Sequence, residues 1–174
     1  PLGTGAMREP WENEMIKGLH HNAYRCRDSE ETRKFYEEFL GLRLAGALEI
    51  KETKTARATN VLHTFYEMGD GSYLAFFEVP DGPFDFKDQH DYDLHIALEV
   101  DSGMLEETLQ RGKDAGVESR GIARHGFVDS IYFRDPNGYV IELTAKTENH
   151  DGFLDPENNG ARQILDDWQA SKGG

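Results

Sequence analysis

The stretch Leu94-His95-Ile96-Ala97-Leu98-Glu99-Val100, leading into Asp101-Ser102, decides the fold, because an earlier stretch follows the same plan. Its alternation reads as a β-strand, with His95, Ala97 and Glu99 on one face. A helix bearing Met104, Leu105 and Leu109 follows and stops at Gly116-Val117. Upstream, Leu19-His20-His21-Asn22-Ala23-Tyr24-Arg25-Cys26 is also strand-like, with His21, Ala23 and Arg25 sharing a face. Asp28 then reads as a helix N-cap with Glu31 as its capping-box partner. Phe35, Tyr36, Phe39 and Leu40 form the stripe of that helix, and Gly41 ends it. His21 to Gly41 is 20 residues and His95 to Gly116 is 21. Self-similarity of this kind says that one supersecondary unit was used twice.

Each helix is followed by strands that close on a tight turn and one more apolar strand. The turns are Asp70-Gly71 before Tyr73-Leu74-Ala75-Phe76-Phe77, and Asn137-Gly138 before Tyr139-Val140-Ile141-Glu142-Leu143. Asp-Gly and Asn-Gly are strong hairpin signals. Each unit is therefore β-α-β-β-β, and the fold class is α+β: paired modules forming a curved mixed sheet around a metal cavity. Counting from the turn glycines makes Ala75 the counterpart of Glu142, as His21 is of His95. His21 is preferred to its neighbour His20 because it lies seven residues before the cap Asp28, close to the six between His95 and Asp101.

Module one is expected over about 16–79 and module two over about 92–145, joined by a connector rich in Asp, Pro and Gly. Residues 1–6 read as a cloning scar ahead of Met7, and 7–148 as a single domain. The extension 149–174 contains an expected helix from Pro156 to about Ser171. Ile164, Leu165 and Trp168 form its apolar stripe, which must be buried against the sheet or in a second subunit, as in a homodimer.

The 174 residues carry 37% hydrophobic and 30% charged side chains, which suits a globular core and excludes disorder. A chain of this size removes roughly 70% of its unfolded surface from water. Cys26 is the lone cysteine, so disulfides play no part. A net charge of −14 repels phosphate backbones and anionic lipids, which argues against nucleic acid as a partner. No apolar run approaches the ~20 residues of a membrane span, so a cytoplasmic location is expected.

Two imidazoles and one carboxylate converging across a pseudo-twofold axis make a facial triad, suited to Fe(II) and usable by Mn, Zn, Ni or Co. Three protein ligands leave positions open for a small-molecule substrate and water. On the residues alone, a lone strand histidine is more often a satisfied core or surface group than a ligand.

The chain resembles the vicinal oxygen chelate superfamily of glyoxalases, bleomycin and fosfomycin resistance proteins, acyl-CoA epimerases and type I extradiol dioxygenases. Leu19-His20-His21, Phe35-Tyr36 with Leu40-Gly41, His95 through Val100, and Asp135-Pro136-Asn137-Gly138 through Leu143 carry the resemblance over about residues 16–145. It implies a divalent metal held by His21, His95 and Glu142. Glyoxalase-like members commonly add a fourth ligand where this chain has Ala75. Three ligands suit a catechol chelating Fe(II) with dioxygen beside it, the extradiol geometry. Tyr132, ten residues before Glu142, is similar to the extradiol tyrosine, and Arg124-His125 ahead of Ser130-Ile131-Tyr132 to a run in the same enzymes. Tyr132, His125 and His63 are the expected catalytic groups, and Tyr73, Phe77 and Arg25 the expected substrate contacts. The extradiol general-acid histidine has no clear match, and Ser72 or Tyr73 falls near its place; His63 is the stand-in, with His90 a weaker one. A lyase or isomerase that stabilises an enediolate, with Glu99 or His63 as base, is the alternative. A metal-free binding protein is another.

Overall fold

The computed structural model describes residues 16–52, 55 and 57–172. Residues 1–6, read above as a cloning scar, lie outside the described residues. The chain divides into two compact units, 1–84 and 85–174, so the first takes in the beginning of the connector.

The first unit runs β1 (Tyr24–Cys26), α1 (Ser29–Arg33), a π-helical stretch (Lys34–Phe39), β2 (Arg43–Glu52), β3 (Ala58–Glu67) and β4 (Tyr73–Glu78). Its four-stranded sheet has the order β1-β4-β3-β2, with β1 parallel to β4 and the other pairs antiparallel. The second unit repeats this with β5 (His95–Glu99), α2 (Met104–Asp114), β6 (Ser119–Arg124), β7 (Val128–Arg134) and β8 (Val140–Lys146), ordered β5-β8-β7-β6. The duplicated β-α-β-β-β plan therefore holds in the α+β class, one mixed sheet to each unit.

Local chemistry explains the elements. The Asp28 carboxylate accepts from the Glu31 amide at 2.8 Å and opens α1, while the Glu31 carboxylate turns outward to Arg27. The helix then widens: the Leu40 amide donates five residues back to Phe35. This lets the bulky Phe35 and Tyr36 both enter the core. Tyr36, Tyr66, Leu74 and Phe76 are fully buried in the first unit. In the second, Leu105 and Leu109 of α2 are buried, as are Ile131, Phe133 and Ile141 of its sheet. Gly112 is required there, since a β-carbon would come within 2.4 Å of the Phe133 ring.

The second hairpin turn also anchors the connector. Gly138 has φ +94°, and the Lys87 and Gln89 amides donate to the Asn137 and Gly138 carbonyls. A side chain at 138 would come within 2.6 Å of the Lys87 and Asp88 amides, so glycine is obligatory twice over.

The extension departs from expectation. Instead of one helix from Pro156, it forms α3 (His150–Phe153) and then α4 (Ala161–Ser171). Asp155 accepts from the Glu157 amide and the Asn158 side chain, which holds a turn where the helix was expected to begin. Gly160 at φ +67° ends the turn, and the Asn159 side chain accepts from the Ala161 amide. The stripe expected to be buried is exposed, with Ile164 at 67%, Leu165 at 47% and Trp168 at 62%.

Candidate metal centre

In the second unit, parallel pairing sets His95 opposite Val140 and Ala97 opposite Glu142. The carboxylate thus lies two residues past the partner of the histidine, on the same face. In the first unit His21 bridges to Tyr73, and the pairing resumes in the same register at Tyr24 with Phe76. Ala75 therefore stands two residues past the partner of His21. His21, and not His20, occupies the repeated position. The strand expected from Leu19 is shorter than the pattern suggested: only the bridge at His21 precedes the regular strand at Tyr24.

The second unit brings the expected groups into contact. His95 Nδ1 donates to the Asp91 carbonyl at 2.7 Å, since a carbonyl can only accept. Its Nε2 lies 3.2 Å from Glu142 Oε2. Tyr132 sits directly across the β7–β8 ladder from Glu142 and donates its hydroxyl to Oε1 at 3.2 Å. The phenol oxygen is 2.8 Å from His125 Nε2, which then serves as the donor. Burial, and next the Glu142 charge, raise the Tyr132 phenol above its ordinary range, so it remains a proton donor. Arg120, opposite Tyr132 on β6, places its guanidinium 4.2 Å from the centre of that ring and pairs with the Asp91 carboxylate.

The first unit groups His21 with aromatic side chains. The His21 ring lies 5.6 Å from that of Phe65 and 6.2 Å from that of His63. His63 is buried, stacks flat on Phe77 at 3.6 Å and donates Nδ1–H to the Phe76 carbonyl. Tyr73 lies beside His20 and Phe65. Arg25 donates to the Val79 and Gly82 carbonyls, which ties down the chain after β4. Of the other bases weighed, Glu99 pairs with Lys146 at 3.0 Å, and His90 accepts from the Tyr92 amide. Asp91 and Arg120 escaped sequence reasoning: they are 29 positions apart, and neither belongs to a recognisable motif.

Neither unit by itself, among the described residues, gathers three His, Cys, Asp or Glu side chains within reach of one ion. The donor chemistry of the second unit nevertheless fits a cation. With Nδ1–H committed to Asp91, a neutral His95 turns its Nε2 lone pair toward a carboxylate oxygen. Two acceptors at 3.2 Å require a proton or a metal ion to reconcile them. A ligand imidazole with its second nitrogen on a backbone carbonyl is the usual outer-shell arrangement.

Duplicated β-α-β-β-β modules with a histidine at the repeated position define a class of metal-dependent folds. The chain belongs to the Glyoxalase/Bleomycin resistance protein/Dioxygenase superfamily, whose family model matches residues 18–143. It is 31% identical over 134 residues to the metallothiol transferase FosB of Bacillus licheniformis, covering 76% of this chain and 77% of that one. It is 29% identical to a lactoylglutathione lyase of Neisseria meningitidis, over 76% of this chain and 94% of the relative. A putative ring-cleaving dioxygenase, MhqA of Bacillus subtilis, is 26% identical over 83% of this chain, which spans only 45% of MhqA. Among solved structures, the fosfomycin resistance protein FosX of Listeria monocytogenes with Mn(II) and sulfate is 25% identical. It superposes with a TM-score of 0.57 over 78% of this chain and 98% of FosX. FosB, the lyase and MhqA are, by name, enzymes of three reaction types.

Proposed function

We propose that the protein is a divalent-metal enzyme in which His21, His95 and Glu142 hold one cation, and that it cleaves the ring of a catechol-like substrate with Fe(II). The observation carrying this reading is Ala75 at the register position of Glu142. A methyl group supplies no fourth ligand, so a chelating substrate and a further small ligand both find room. When bound, the cation supplies Lewis acidity toward the substrate oxygens and, as Fe(II), electrons for dioxygen chemistry.

The chain's own groups have defined work. Glu142 accepts from Tyr132 through Oε1 and keeps Oε2 toward His95. Tyr132 and His125 form a donor chain from solvent to the site, able to hold or pass a proton to a substrate hydroxyl. His63, buried and with Nδ1 committed, presents Nε2 as the acid or base from the first unit. Phe77 and Tyr73 supply aromatic surface for a planar ring, while Arg25 orders the segment beside them. An acidic chain whose one cysteine is buried and unpaired suits the cytoplasm.

A second reading, transfer of a thiol to a small electrophile, is favoured by the 31% identity with FosB. Elemental analysis of anaerobically prepared protein, followed by a dioxygen-electrode screen of catechols, tests the first. Bound iron with catechol-dependent dioxygen uptake is expected, and His95→Ala should lose the metal. Metal-loaded protein that consumes thiol and leaves dioxygen untouched would establish the second reading instead.

A further inference from the structure

A row of three residues crosses the second sheet, Glu142 beside Tyr132 and Tyr132 beside Arg120. Arg120 at one end pairs with Asp91, outside the sheet, and Glu142 at the other lies against His95 of β5. Asp91 accepts from His95 Nδ1 through its carbonyl and pairs with Arg120 through its carboxylate. A continuous ring results: Asp91 to Arg120 to the Tyr132 face, Tyr132 hydroxyl to Glu142, Glu142 to His95, and His95 back to Asp91.

We propose that Asp91 is a positioning residue that sets the His95 imidazole directly and the Tyr132 phenol through Arg120, so that His95 and the Tyr132-bound Glu142 respond as one unit. The inference rests on the reading of His95 and Glu142 as ligands.

Three observations support it. Asp91 is only partly exposed, its side chain at 27%, so its ion pair with Arg120 is stronger than a fully solvated one. The connector carrying it is already fixed: Lys87 and Gln89 donate to the 137–138 turn, and Arg134 donates to the Gln89 carbonyl. The turn at His90, whose carbonyl accepts from the Asp93 and Leu94 amides, then presents both polar groups of Asp91 toward the sheet. Finally, among the described residues the first unit has no such device. Its corresponding row is Ala75, Phe65 and Gly46. There His21 Nδ1 lies 2.8 Å from Nδ1 of the neighbouring His20. Fixing the tautomer and the outer hydrogen bonds of a ligand imidazole commonly changes metal affinity 10- to 100-fold, so the device bears on function.

The test compares Asp91→Asn, Arg120→Ala and the double variant. The metal-free proteins are examined by the ring 15N signals of His95 and the 13C signal of the Tyr132 phenol carbon, then titrated with Mn(II). Wild type should show a single Nδ1–H tautomer. Each single substitution should shift both the His95 and Tyr132 signals and weaken Mn(II) binding by about tenfold, with the double variant no worse than either. Unmoved signals in both single variants, or losses that multiply in the double, would overturn the proposal. Wild-type protein that fails to bind Mn(II) overturns the metal reading, and the nitrogen and carbon signals then decide the role of Asp91 alone.

Discussion

Tyr132 is held on three sides: by Glu142 as acceptor, by His125 as donor and by Arg120 over its ring. In the proposed function it is the hydroxyl that handles the proton, so Tyr132→Phe should keep the metal content of the protein while lowering turnover by roughly 10²-fold or more. Metal analysis and steady-state rates on one preparation check this. Cys26 illustrates the opposite case, a polar atom that burial silences. With 1% exposure its thiol is pushed up to about 11. The native thiol should resist iodoacetamide near neutral pH and label fully in denaturant. The unfolded chain releases this proton first, so its stabilising contribution is complete below the ordinary value of 9.0 and is lost as pH rises through about 11. Cys26→Ala should flatten that alkaline decline in urea midpoints.

Among the elements, α1 depends most on one local bond. It has five α-helical residues before the π-helical widening, and the Asp28 cap is its opening bond. Asp28→Ala should cost about 1 kcal/mol in urea unfolding. Most elements were legible from sequence because their signals are local: alternation about His95, a capping aspartate, glycines after Asp70 and Asn137. The repeat also located His21 and Ala75 correctly within the first register, since pairing in both units preserves the same offset. The π-helical widening was illegible, because two adjacent large aromatics do not announce which hydrogen-bond ring they will impose. The late start of α4 was missed because Asp155 and Asn159 can cap either a helix or the turns that precede one. The Asp91–Arg120 tie was invisible because only the folded sheet makes neighbours of a connector residue and β6.

Across the whole molecule, the −14 charge makes a field that favours small cations over polyanions. Mn(II) association should therefore slow several-fold as ionic strength rises from roughly 0.01 to 0.15 M, where the Debye length falls from ~30 to ~8 Å. Stopped-flow mixing measures this. Among the described residues, no helix is long and apolar enough to cross a membrane. The exposed face of α4 has a different consequence. If a second subunit covers Trp168, thermal midpoints should climb with protein concentration, and Trp168→Ser should abolish the climb.

The two sheets began from one pattern, yet Glu142, Tyr132 and Arg120 on one answer to Ala75, Phe65 and Gly46 on the other. The molecule thus holds an inscribed copy of the row and a blank one. Ala75 is fully enclosed, so writing Glu there would strand a charge that only a cation or a proton could quiet. The blank copy keeps a quiet interior at Ala75, and what stands about His21 there is the ring surface of Phe65 and His63.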